Sequence, residues 1–292
     1  MRPHTSESLA DRVRPLIGEP LGEPEPLDGG ITNRNFRVRT GQGDFVVRLF
    51  GVRASELGID RSAERAATDA AARAGVGPGV VAFTDELLVT TFIEGEAMPR
   101  VRLAETAAAL HAVHAGPTLP TSFSGIAVGE DYAARASGLP PEYPGAHAVA
   151  KEIEAALSGP EHNPVPCHND LLNANLIWDG GRVRIVDWEY AGMGDRFFDL
   201  GNLSINNELS EEDDERLLAA YFDEPCTPAR FASLRLMRIV SDFREAMWGV
   251  LQQSISDLDF DFEDYASTHF ARLRESASDP RYPGWLEEAG RG

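Results

Sequence analysis

The 292 residues are 42% hydrophobic and 25% charged, ordinary for a globular protein, and at about 150 residues per domain they suggest two domains or lobes. No apolar run approaches the ~18–20 residues of a membrane span, and the N-terminal stretch has no apolar signal core, so the expected location is cytoplasmic. The 47 acids against 27 lysines and arginines give a net charge of −20, which argues against a nucleic-acid partner and would attract cationic small molecules.

Two cysteines, Cys167 and Cys226, are too few for a disulfide framework and have no zinc-like spacing. Lys151 is the only lysine, so a basic group needed anywhere else must be an arginine.

In chain order, residues 6–17 carry Leu9, Val13, Leu16 and Ile17 at helical spacing, and Gly and Pro in 18–26 break the helix. Ile31, Phe36, Val38 and the run 45–50 are strand-like, punctuated by Gly29-Gly30 and Gly41-Gln42-Gly43. Asp60 caps a helix through Arg73 that ends at Gly75, and 80–83 with 87–92 form a hairpin. A boundary is expected at Ile93–Glu96, separating residues 1–94 from 95–292.

Beyond it, Leu103, Ala107, Leu110 and Val113 form a helical stripe on which His111 and His114 read as packing residues. The Pro/Gly/Ser-rich stretch 116–145 reads as a long loop with one helical turn, followed by a helix at 147–158. Runs 174–178 and 183–188 are joined by Asp179-Gly180-Gly181, a good hairpin turn. Helices are expected at 211–222, 228–256 and 261–275, with a loose polar tail from 276. The acidic stretch Asp257–Asp264 lacks the Gly and closing Glu of a calcium loop.

The segment 168–187 carries the chemistry. His168, Asp170 and Asn175 have the spacing H-x-D-x-x-x-x-N, and the next strand ends in Asp187. This is the order of a phosphoryl-transfer site. Asp170 can orient or deprotonate an attacking hydroxyl, Asn175 and Asp187 offer hard oxygens to Mg²⁺, and His168 braces the loop.

With these residues go LDGGITNRNF (27–36), DFVVRLFG (44–51), IDRSAE (59–64), HNDLLNANLI (168–177), IVDWEYAGMGDRFFDLGN (185–202) and WGVLQQSISDLDFDFEDYA (248–266). Together they resemble the choline/ethanolamine kinase branch of the aminoglycoside phosphotransferase, protein-kinase-like superfamily. The resemblance implies an α+β, two-lobed protein-kinase-like fold, with a small antiparallel-sheet lobe and a larger, mostly helical lobe. It implies transfer of the ATP γ-phosphoryl group to the hydroxyl of a cationic amino alcohol, with ATP and Mg²⁺ as cofactors.

The resemblance also assigns residues. Arg48 takes the place of the nucleotide-clamping basic residue, with Glu64 as its partner. Gly30, Thr32 and Asn33 stand where a phosphate-covering loop would be, and Phe92 and Ile93 would line the adenine pocket and offer backbone hydrogen bonds. Asp199 would brace the catalytic loop. Trp248 and Tyr265 match aromatic-cage positions for the acceptor, and Trp188, Glu189, Tyr190 and Asp195 lie close to the metal strand. The sequence departs from the resemblance at Glu245, which stands three residues before Trp248 where that branch has a second tryptophan; with Asp242 it would add an acidic rim favouring a primary or less methylated amine. An aminoglycoside or thiamine as acceptor, or a catalytically silent nucleotide-binding module, are the alternatives. Monomer and homodimer stay open.

Overall fold

The computed structural model describes residues 8–27, 34–51, 57–256 and 258–291. Gly30, Thr32, Asn33 and Asp257 lie outside the described residues.

The chain opens with α1 (Leu9–Ile17), capped by Ser8, whose hydroxyl accepts the Asp11 amide. Gly18 closes it at φ +84°, a conformation glycine adopts without strain. Strands β1 (Glu25–Leu27), β2 (Arg34–Thr40) and β3 (Gly43–Leu49) follow. After α2 (Arg61–Arg73) come β4 (Val80–Phe83) and β5 (Leu87–Thr91). The five strands form one antiparallel sheet in the order β1-β2-β3-β5-β4. Val38, Phe45, Val47, Leu87 and Val89 pack one face against Val13 and Ile17 of α1. Alternation along β3 then puts Val46 and Arg48 on the opposite face, where both line a cleft. Asp60 caps α2 by accepting the amides of Ser62 and Ala63, and the small buried face Ala63, Ala67, Ala71 lets α2 sit close to its neighbours.

The first strand past the expected boundary is β6 (Glu96–Ala97), followed by α3 (Leu103–His114), α4 (Gly125–Arg135), α5 (Tyr143–Ala156) and β7 (Val165–Cys167). The hairpin β8 (Leu176–Trp178) and β9 (Val183–Ile185) turns at Gly180, φ +91°. Then come β10 (Gly192–Gly194), α6 (Arg196–Asn206), α7 (Glu211–Phe222), α8 (Pro228–Ile255), α9 (Phe262–Ala277) and α10 (Tyr282–Ala289). The 28-residue α8 packs against α4, α6, α9 and α10, so it is the axis of this larger, helical part. No described helix is long and apolar enough to cross a membrane.

Two expectations fail. The stretch 116–145 is not a long loop, because α4 occupies 125–135. Its Gly125 and Gly129 lower helix propensity, but a Cβ at Gly129 would lie 2.5 Å from the Phe243 ring, so glycine is what lets α4 dock on α8. The tail is not loose either. Tyr282, Trp285 and Ala289 bury one face of α10 in the main core.

Candidate active site

Strand β7 delivers the candidate catalytic loop. It pairs antiparallel with β10, Cys167 opposite Gly192. Beyond it Asn169 adopts φ +68°, a left-handed conformation that asparagine tolerates better than most residues. The loop is held from beneath by Asp199 of α6, which accepts the backbone amides of His168 at 2.8 Å and Asn169 at 2.6 Å. The same carboxylate meets His114 Nε2 at 3.0 Å, and His114 Nδ1 reaches the Tyr221 hydroxyl at 2.7 Å. His114 therefore does more than pack. Burial works against the charge on Asp199, but its hydrogen bond to His114 and the nearby histidines hold its pKa below the ordinary value. Leu171 N donates to Asn202 Oδ1 at 2.5 Å, which fixes the residue after Asp170.

His168 is buried and braces the loop. Nε2 lies 2.9 Å from the Val186 carbonyl, and Nδ1 accepts the Asp170 amide at 3.2 Å. This pairing is that of a neutral imidazole with its proton on Nε2, and burial lowers its pKa.

Asp170 is raised to about 7 by burial, against the pull of Arg244 and with Glu245, Asp187 and Glu189 adding to the rise. Asn175 Nδ2 donates to the Asp170 carbonyl at 2.8 Å. That commits the amide nitrogen and leaves Oδ1 as the atom able to ligate a cation. Asp187 sits just past β9 at φ +68°.

Arg48 reaches from β3 to both sides of the cleft. Its Nη1 donates to Glu64 Oε1 at 3.1 Å and to Asp187 Oδ1 at 2.7 Å. Glu64 is wholly buried and is also bonded by Arg61 at 2.6 Å. Burial opposes the Arg48 charge, but Asp187, Glu189 and Glu64 outweigh it and raise its pKa.

Between the sheet and the β8–β9 hairpin lies a cavity of about 300 Å³, lined among others by Val46, Arg48, Leu88, Phe92, Ile93, Asn175 and Asp187. One expectation about it needs correction. Phe92 N donates to the Asp44 carbonyl at 2.9 Å and so is not available to a ligand, and Arg37 stacks on the Phe92 ring at 3.9 Å. Ile93 lines the cavity.

The acceptor-side assignments divide. Tyr190 and Glu189 lie outside the first cavity. Both help line a second cavity of about 280 Å³, with Asp60, Asp131, Tyr132 and Phe123. Trp188 does not join them. It is 3% exposed, packs edge-on against His168 at 4.7 Å, donates Nε1–H to Ile185 O and closes the inner wall of the first cavity. Asp195 is no acceptor ligand: it caps α6 through the Phe197 amide and pairs with His162 at 2.6 Å.

Asp242 and Glu245 do not make a solvated acidic rim, because both are buried among cations. Asp242 pairs with His269 at 2.8 Å and with Arg272. Glu245 pairs with Arg244 and accepts the Tyr265 hydroxyl at 2.8 Å. Trp248 meets Tyr265 edge to face at 5.4 Å and Phe262 at 5.6 Å.

Arg244 went unrecognised in the sequence. It is buried, lies 3.4 Å from Asp170 Oδ1 and stacks on Tyr190 at 4.5 Å. Sequence pattern does not single it out, because α8 also carries Arg230, Arg235 and Arg238.

A sheet lobe clamped over a catalytic loop and a carboxylate-ended hairpin is a protein-kinase-like arrangement. The chain belongs to the phosphotransferase enzyme family, whose model matches residues 23–236. It is an ATP-dependent phosphotransferase with an alcohol group as acceptor.

Human ethanolamine kinase 2 is 28% identical over 301 residues, covering 90% of this chain and 78% of that protein. A choline/ethanolamine kinase family protein from Mesorhizobium loti superposes with a TM-score of 0.84 at 30% identity, over 98% of this chain and 100% of that one. The choline kinase LicA from Streptococcus pneumoniae shares the fold, with a TM-score of 0.78 at 23% identity over 92% and 96% of the chains. LicA is also known in complex with AMP, and there the TM-score is 0.76 at 22% identity over 95% and 97%.

Proposed function

We propose that the chain is a small-molecule kinase for amino alcohols of the ethanolamine or choline type, using MgATP. The observation that carries the reaction is the meeting of Asn175, Asp187 and Arg48 around one cleft between residues 1–94 and residues 95–292, with Asp170 tied to Asn175 through its backbone carbonyl. The similarity to ethanolamine kinase 2 and to the Mesorhizobium loti protein supports the acceptor class.

The donor set suits a hard cation. Asn175 has only its carbonyl oxygen uncommitted, and Asp187 keeps Oδ2 beyond the bond from Oδ1 to Arg48. Mg²⁺ held there would neutralise charge on the nucleotide phosphates. Arg48 keeps Asp187 oriented and places a guanidinium at the phosphate end of the first cavity. Asp170 accepts the proton of the acceptor hydroxyl as that oxygen attacks the γ-phosphorus and ADP departs. His168 and Asp199 hold the loop so that none of this geometry is reorganised during transfer.

The test is ADP release from MgATP with ethanolamine, its N-methylated series, choline, thiamine and aminoglycosides in parallel, with Asp170→Asn as blank. Turnover of an ethanolamine-type amine is expected. Turnover of an aminoglycoside or thiamine alone would replace the acceptor class and keep the site.

A further inference from the structure

A cation already sits where an amino-alcohol site would receive one. The Arg244 guanidinium lies over the Tyr190 ring at 4.5 Å, is paired with Glu245 and lies 3.4 Å from Asp170 Oδ1. Its side chain is 2% exposed, and its Nε and Nη2 have no hydrogen-bond partner among the described residues. On the far side Tyr265 is tied to Glu245, and its ring meets Trp248 edge-on. The Tyr190 ring face and the Glu245 carboxylate, both able to receive a quaternary ammonium, are thus occupied by the protein's own side chain.

We propose that Arg244 is a specificity-determining residue that fills the ring-face cation site and restricts the acceptor to primary or sparsely methylated amines. This rests on the amino-alcohol reading above.

In such an acceptor only two carbons separate hydroxyl from nitrogen, so a hydroxyl at Asp170 brings the cation close to Arg244. A primary ammonium has three N–H donors and can be held by carboxylates, of which Asp170 and Glu189 are near. A trimethylammonium has none and depends on ring faces. Tyr190's face is taken, and two like charges would crowd the same carboxylates. Each added methyl therefore removes a hydrogen bond without gaining a ring.

The test is kcat/KM for ethanolamine, N-methylethanolamine, N,N-dimethylethanolamine and choline, with wild type and Arg244→Gln. Wild type should fall at least tenfold from ethanolamine to choline. Arg244→Gln should close that gap at least tenfold. Arg244 touches Asp170, so its loss lowers turnover with every acceptor, and the ratio of two acceptors cancels that common factor. The double variant Arg244→Gln/Glu245→Gln does not leave the buried Glu245 charge without its arginine and should behave alike.

If neither variant folds, inhibition of wild type decides, because methylammonium should compete against ethanolamine better than tetramethylammonium does. A wild type that prefers choline, an unchanged ratio in a folded variant, or stronger inhibition by tetramethylammonium overturns the proposal. Failure to phosphorylate any of the four amines would sink the amino-alcohol reading itself, and this proposal with it.

Discussion

Arg48 Nη1 lies 2.7 Å from Asp187 Oδ1, so a guanidinium on the third strand of the sheet is bonded directly to a carboxylate of the candidate metal site. Glu64 holds the same nitrogen from the α2 side at 3.1 Å. One arginine thus couples strand, helix and catalytic hairpin. Lysine offers a point charge without the planar fork, whose Nε also reaches Asn35 Oδ1 at 3.3 Å, and cannot keep all three contacts in this geometry. Arg48→Lys is expected to lower kcat/KM for ATP about 10–100-fold while the protein stays folded. Glu64→Gln should do less, since Asp187 still orients Arg48. Steady-state kinetics with thermal melting checks both, and wild-type kinetics in Arg48→Lys would show that the fork is dispensable.

Asn175 performs two tasks that substitution can separate. Its Nδ2 ties the Asp170 carbonyl, and its Oδ1 is the atom left for a cation. Asn175→Asp keeps an oxygen and loses the donated bond, whereas Asn175→Ala loses both. The alanine variant should need at least about tenfold more Mg²⁺ for half-maximal rate, with a deficit that excess metal partly recovers. Asp187→Ala should lose nearly all turnover at any metal concentration and still fold. Activity titrated against Mg²⁺ and Mn²⁺ distinguishes the two. Metal dependence unchanged in Asn175→Ala would remove Asn175 from the coordination set.

The Asp199 carboxylate is wholly buried and has a lowered pKa, offset against burial by His114 and by the amides it accepts. A carboxyl depressed in the folded state adds stability above its unfolded value, near 3.9, and that contribution is lost as pH falls through the lower folded value. Asp199→Asn should therefore cost about 3–5 kcal/mol at pH 7 and progressively less below pH 4. Urea unfolding at several pH values measures the convergence. A cost that persists undiminished at pH 3 would mean that the carboxylate's charge is not what holds the loop.

The site was legible where chemistry is local in sequence. His168, Asp170, Asn175 and Asp187 lie within 20 residues, and a hairpin turn between two of them announces that they meet. Arg48 and Glu64 could be paired only through resemblance, since they stand 16 positions apart on a strand and a helix and no local periodicity joins them. Partners supplied by distant helices were not legible. Nothing in the periodicity of α8 says that Asp242 faces His269 and Arg272 of α9, or that Arg244 turns inward to Tyr190. Acids on a helix read as solvated until a second helix brings cations to them. His114 packs as its helical position implies, but its polar partners, Asp199 and Tyr221, come from α6 and α7 and are not legible for the same reason.

The helix α4 shows how packing overrides propensity. Gly125 and Gly129 in its 11 residues weigh against a helix. Alanine at 129 would raise intrinsic propensity by about 1 kcal/mol in an exposed helix, but here its Cβ would lie 2.5 Å from one Phe243 ring carbon and 2.9 Å from another. Phe243 of α8 is fully buried, stacks with Tyr143 and meets His147 at a tilt, both from α5, so the ring cannot yield without moving its neighbours. The crowding should win, and Gly129→Ala should destabilise by about 1–3 kcal/mol. Phe243→Leu in the same chain should recover part of that loss by opening the space. Urea melts of the two single variants and the double variant measure the coupling. A stabilised Gly129→Ala would mean that α4 can slide on α8, and that its glycines are not what sets the distance between them.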